Sequence, residues 1–242
     1  MPHAPSPPPG SDPLRTHLLV ATLIATLAWG ADASGLDHLL ASAAFDPELG
    51  TFPARASASL ELFGHRLAKS AVWLVWFGLL ATALASLRLT ALEPWRRVLW
   101  ATTGAMAAGP AVVTLLKGVT GPRCPWDLVA FGGQASVATA WLVDRAEAGR
   151  CFPGGHASGG FSLLALYFAG VAVGAPRLRA AGLAAGLGAG LAFSAVRMLQ
   201  GAHFLSHNLW AAFVVWTVAV AVFAIVYPGP PATTVTAKAR TA

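Results

Sequence analysis

The chain has 242 residues, 56% of them hydrophobic and only 11% charged, with a formal net charge of +6 and a mean hydropathy of +0.62. Soluble domains carry about 25% charged residues, so this composition excludes an ordinary water-soluble domain and points to lipid as the solvent. The basic residues sit mostly at the ends of apolar runs. That placement argues against a nucleic-acid partner and for anchoring at anionic lipid headgroups.

Residues 1–13 are rich in Pro, Ser and Gly and read as a disordered tail, and residues 228–242 as a flexible C-terminal tail. Between them, residues 14–227 read as one membrane domain. The first apolar run, Thr16–Ala33, follows Arg15 and has the look of a signal peptide. Five more runs follow, which favours a retained first span. They are Ala71–Leu87, Val98–Leu116, Ala157–Ala175, Ala180–Val196 and Leu209–Tyr227. Each approaches the ~20 residues that a hydrocarbon core of about 30 Å requires. Backbone groups in lipid must be paired internally, so the runs are predicted helices. The expected fold is an all-α polytopic bundle of about six transmembrane helices. The fifth run, AAGLAAGLGAGLAFSAV, is dominated by small residues that let helices approach closely.

Six spans place both termini on one side. The short loop 88–97 holds Arg88, Arg96 and Arg97, and loop 176–179 holds Arg177 and Arg179. Short-loop charge governs orientation, so the termini are expected in the cytoplasm and loops 34–70 and 117–156 outside. Within the first of these, FPARASASLELFGHRLAK has the pattern of an amphipathic stretch at the interface. An Ala- and Arg-rich composition fits a bacterial inner membrane, with the site facing the periplasm.

Three polar segments fall on that outer side. Lys117-Gly-Val-Thr-Gly-Pro-Arg123-Cys-Pro125 lies where the third run ends. Pro153-Gly154-Gly155-His156 lies where the fourth begins. Arg197, His203 and His207 lie between the fifth and the sixth. Cations gathered at one point need an anion, and phosphate supplies charge and acceptors that Arg matches bidentately. Gly154 and Gly155 at a helix start offer backbone N–H groups for an anion cradle. Two histidines divide the chemistry: His203 attacks phosphorus and His156 protonates the leaving oxygen. Lys117, Arg123 and Arg197 stabilise the charge of the transition state. This scheme requires no metal or other cofactor. The four-residue spacing of His203 and His207 also suits a metal on one helical face, but no carboxylate or thiolate stands locally to complete the set.

These segments resemble the tripartite signature of the type-2 phosphatidic acid phosphatase superfamily, K-x6-R-P, P-S-G-H and S-R-x5-H-x3-D, a family that includes vanadium haloperoxidases. The resemblance covers roughly residues 66–227. It implies a six-helix membrane phosphatase in which Lys117, Arg123 and Arg197 bind phosphate, His156 is the general acid and His203 the phosphorylated nucleophile. The chain departs from the pattern in four places. Cys124 occupies the arginine position of the first motif, with Arg123 one residue early. Gly154 replaces Ser. Ser194 lies three residues before Arg197 rather than next to it. His207 stands where the family has the Asp that orients the nucleophile. Asn208, Asp127 or Asp144 are candidates to assist.

Cys124 and Cys151 share the outer loop, and a disulfide is expected if that loop faces an oxidising compartment. Tryptophans such as Trp95, Trp100, Trp126, Trp141 and Trp210 read as an interfacial belt. The functional expectation is a phosphatase for a lipid phosphate: an isoprenoid diphosphate, phosphatidate or a related phospholipid. The alternatives are a lipid phosphotransferase using the same site, or a weakened lipid-phosphate binder.

Overall fold

A computed structural model of the chain describes residues 13–62, 68–138 and 140–227. The expected tails therefore lie almost wholly outside the described residues, as does 63–67 of the expected amphipathic stretch. The described elements are helical, with isolated β-bridges and no strand among them.

In chain order the α-helices are α1 (Pro13–Ala33), α2 (Leu36–Ala44), α3 (Ala58–Glu61), α4 (Ala68–Ala85), α5 (Arg96–Leu116), α6 (Gly155–Phe161), α7 (Leu164–Ala172), α8 (Pro176–Leu199) and α9 (Leu205–Val226). Four segments are long and apolar enough to cross a membrane: Leu14–Ala33, Thr90–Leu116, Pro176–Leu199 and Leu205–Val226. They cover the first, third, fifth and sixth expected spans. The second expected span falls on the shorter apolar helix Lys69–Ala85. The fourth is not one helix: a turn at Ser162 and Leu163 divides it into α6 and α7.

Large apolar side chains are exposed along α1 (Leu18, Leu19, Leu23, Leu27) and α4 (Trp73, Leu74, Phe77). Such continuous apolar surface suits lipid, where it carries no hydrophobic penalty. The main core lies between α1, α5, α6, α7 and α9, built from residues such as Met106, Val113, Phe161, Leu164, Phe168, Val215, Trp216 and Phe223. Trp216 Nε1 donates to the carbonyl of His17 at 3.0 Å, tying α9 to α1. Trp76 Nε1 donates to Thr103 O at 3.1 Å, tying α4 to α5.

Helix α8 packs on the broken pair through glycines. A Cβ at Gly182 would lie 2.3 Å from Tyr167 N, one at Gly186 2.6 Å from Leu164 Cγ, and one at Gly190 2.1 Å from a Phe161 ring carbon. The small-residue run thus places its backbone directly against α6 and α7.

A second cluster lies under the loops at the end of the bundle where α5 and α8 finish and α6 and α9 begin. Ala41, Phe52, Leu128, Phe131 and Phe204 form it. It seats α2 and the residues around 125–131 against the start of α9. Helix α2, unforeseen in the sequence, supplies Asp37, which is 3% exposed. Its carboxylate accepts the Ser206 N–H at 2.9 Å and the Ser206 hydroxyl, closing the first turn of α9 from 169 residues away.

Candidate active site

All three polar segments meet at this end. Lys117 follows the last residue of α5, and its ammonium nitrogen lies 3.3 Å from where a Gly155 Cβ would stand. The first motif therefore touches the second across the start of α6. Gly154 caps that helix and donates its N–H to the carbonyl of His207 at 2.8 Å, so the second motif touches the third. Thr120 Oγ1 donates to Phe152 O at 2.6 Å, fastening the chain after α5 to the chain before α6. The expected cradle is corrected on one point: the Gly154 N–H is committed to His207 and is not available to an anion. Gly155 and His156 open the helix, where N–H groups have no intrahelical acceptor.

Arg197 lies in the last turn of α8. Its guanidinium donates to Gln200 Oε1 at 2.8 Å and lies 5.5 Å from the Trp126 ring centroid, while its Nε is buried without a partner among the described residues. Arg55 also lies over the Trp126 ring, 4.5 Å from its centroid. The charges of Glu61 and Arg55 both act on Arg197. Sequence reasoning missed both residues, because nothing in the 52–62 stretch signals that it folds back over the third motif. Trp126, read as a belt residue, also serves as a shared platform for two guanidiniums.

His203 does not sit on a helix. It lies in the connection between α8 and α9, whose cap is Phe204, so the one-face pairing with His207 expected from spacing does not form. Gly201 makes the connection possible: its φ is +69°, and a Cβ there would lie 2.3 Å from the Phe52 ring. The His203 ring is 4% exposed. Burial first, then the charges of His207, Lys117, Arg197 and His156, hold it well below the ordinary imidazole value. These four residues are among those the sequence assigned to the site. Burial, then Arg197, likewise holds Lys117 below the usual ammonium value. Arg123, by contrast, is exposed beside Cys124.

His207 is buried in α9, with its ring 5.9 Å from that of His203 and flanked by Phe152 and Phe204. Its Nδ1 has no partner among the described residues. The atom nearest His203 Nδ1 in the described hydrogen-bonding pattern is instead Cys151 Sγ, at 3.4 Å. Cys124 and Cys151 form the expected disulfide, enclosing 27 residues of sequence separation. On a chain-entropy account a closure of this length contributes about 3–4 kcal/mol. The pair also brings two sulfurs within 4.8 Å of a His203 ring nitrogen, a soft donor set that sequence spacing did not reveal. As a disulfide the sulfurs offer no thiolate to a metal.

Asn208 explains the missing Ser of the second motif. A Cβ at Gly154 would lie 2.5 Å from Asn208 Oδ1. The amide fills that space, donating to Phe204 O at 3.1 Å, while its Oδ1 has no partner among the described residues. Asp127 and Asp144 lie in loop 117–156, half-buried and exposed respectively. Neither is among the charges acting on His203.

A cavity of about 520 Å³ adjoins this cluster. Lys117, Gly155 and His156 form its polar end, and Trp73, Trp76, Met106, Pro110 and Phe193 line its apolar length. No curated protein and no solved structure matches the chain. The profile of the PAP2 superfamily matches residues 98–229, from the start of α5 through the end of α9. That match takes in all three motifs and more than half of the chain, and the chain belongs to the PAP2 superfamily, a family of phosphatases.

Proposed function

We propose that the protein is an integral membrane phosphatase for a lipid phosphate, acting at the outer leaflet through a phosphohistidine on His203. The observation that carries this reading is the continuity of the cavity. Its basic, histidine-bearing end suits a phosphate, and its aromatic and aliphatic length suits a hydrocarbon chain. An isoprenoid diphosphate, phosphatidate or related phospholipid has both parts.

In this scheme Lys117 and Arg197 hold the phosphoryl oxygens and offset the charge that spreads over them in the transition state. The His203 Nε2 lone pair forms the N–P bond as the ester P–O bond breaks. His156 gives its proton to the departing oxygen, then takes one from the water that attacks the phosphohistidine. Uncharged His203 suits the nucleophile, and burial keeps it so near neutral pH. Arg197 presents a guanidinium already fixed by Gln200 and Trp126, so little ordering is left to the moment of binding.

The test is phosphate release by purified protein in detergent micelles. Phosphatidate and an isoprenoid diphosphate are compared with glycerol phosphate, which has the ester but no tail. Lipid substrates are expected to show kcat/KM values at least about tenfold higher, the equivalent of burying two methylenes. His203→Ala is expected to abolish release while retaining lipid binding. Equal turnover of glycerol phosphate would remove the lipid assignment, and undiminished release by His203→Ala would remove the nucleophile.

A further inference from the structure

We infer that the Cys124–Cys151 disulfide positions the nucleophile, with Cys151 Sγ accepting the Nδ1–H of His203. The inference rests on the phosphohistidine reading above and adds to it a residue pair and a redox dependence.

A neutral imidazole carries its proton on one nitrogen, and the partner of the other selects which. A nucleophilic Nε2 requires the proton on Nδ1, facing an acceptor. The resemblance to the superfamily places an Asp at the position of His207 for that purpose. Here His207 lies in α9 with its ring 5.9 Å from that of His203, and Cys151 Sγ lies 3.4 Å from Nδ1. Cys151 is fully buried and His203 is 4% exposed, so water does not compete for the contact. Because Sγ is bonded to Cys124, it has no hydrogen and can only accept. The same sulfur lies 3.0 Å from the carbonyl oxygen of Ala202, the residue before His203, so it is packed against the backbone there, with no hydrogen bond between these two acceptors.

The assignment orders the proton inventory of the reaction. Nδ1–H stays on the ring while Nε2 bonds phosphorus and the leaving oxygen takes its proton from His156. The phosphorylated ring is cationic, and a neutral disulfide orients it without offsetting that charge. Reduction by a dithiol such as dithiothreitol changes the acceptor. Two electrons and two protons pass to the sulfurs, the reductant closes to its cyclic disulfide, and Cys151 becomes a thiol. A thiol can donate to Ala202 O or to Nδ1, and Cys124 no longer fixes its direction. The ring loses the partner that holds Nε2 free of a proton.

The experiment uses full-length protein in micelles with phosphatidate as substrate. Dithiothreitol, and separately Cys124→Ala with Cys151→Ala, are expected to lower kcat about 10- to 100-fold, by analogy with losing the partner that orients a metal-bound histidine, with KM little changed. Cys124→Ala with Cys151→Asp is expected to recover much of kcat, because a carboxylate accepts Nδ1–H without any cross-link. Its acid limb should move to higher pH than in the oxidised protein, since a carboxylate favours the charged ring. If the bridge served only to tie the loop, the Ala and Asp variants would fall alike, and that outcome overturns the inference. Side-chain ¹⁵N spectra of the oxidised protein, with His203→Gln for assignment, read the contact without reference to turnover or to a variant's folding. Nδ1–H at His203 is expected, and Nε2–H overturns the inference. His203→Ala separates the two levels. Undiminished release there removes the phosphohistidine reading. Loss there with full activity in dithiothreitol removes only the role of the disulfide.

Discussion

Replacing Asp37 with Ala tests how a helix remote in sequence holds the site. The carboxylate is 3% exposed and accepts both the backbone N–H of Ser206 at 2.9 Å and its hydroxyl. A hydrogen bond to a charged group contributes about 1.5–3 kcal/mol, and an orphaned buried N–H costs about 1–3 kcal/mol. A negative charge at the start of α9 adds about 0.3–1 kcal/mol. These figures describe overlapping effects and do not sum. Burial pushes the Asp37 carboxyl above its usual value, with Ser206 opposing the shift, so removing it also returns part of a desolvation cost. The Ser206 hydroxyl can turn to another acceptor and adds little. The net expectation for Asp37→Ala is a loss of about 2 kcal/mol. Asp37→Asn keeps an oxygen for the N–H and should lose under about 1 kcal/mol. Thermal and denaturant unfolding in micelles, read by tryptophan fluorescence, would rank the three proteins. An Ala variant that unfolds at the wild-type midpoint, or an Asn variant that falls as far as Ala, would refute the reasoning.

Two further outcomes follow from the site geometry. His203 has a lowered value in the fold, so it stays neutral as the pH falls through 6.5 and charges only in more acid solution; the acid limb of kcat/KM is expected below pH 6.5, and a midpoint at or above it would contradict the burial argument. The same sign means that the stability His203 contributes is present above 6.5 and is lost as the pH drops through its folded value. Gly154→Ser, which restores the superfamily residue, puts a Cβ 2.5 Å from Asn208 Oδ1 and should cost about 1–3 kcal/mol of stability together with activity. Adding Asn208→Ala should relieve the overlap, and a single variant as stable as wild type would show that the amide moves aside freely.

Hydropathy located α1, α5, α8 and α9 because their apolar runs are long and unbroken. It could not see the turn at Ser162 and Leu163, since both sides of the break are apolar and lipid-compatible. Lys117, His156 and Arg197 were legible because each directly closes or opens an apolar run, and His203 because it lies in the short polar gap between two of them, where a polar group at the edge of lipid calls for a reason. The position of His203 off the helix was not legible: it depends on the positive φ of Gly201 beneath the Phe52 ring. Asp37, Arg55 and Glu61 were hidden in a stretch whose composition resembles any surface loop. Their partners, Ser206 and Arg197, lie more than a hundred residues along the chain. The disulfide was foreseen as a loop clip, but its approach to the His203 ring is a tertiary fact with no sequence pattern behind it.

The glycine seam of α8 has a mechanical result. Gly182 meets the Tyr167 backbone, and Gly186 and Gly190 meet the buried side chains of Leu164 and Phe161, so a slight roll of α8 has little free space in which to be taken up by a rotamer change. Any roll of α8 must therefore travel its full length and swing Arg197, about 22 Å along the axis from Gly182. Three absent methyl groups far from the chemistry thus set how the guanidinium is aimed, and a single Ala among them would be felt first as a mis-sighted arginine.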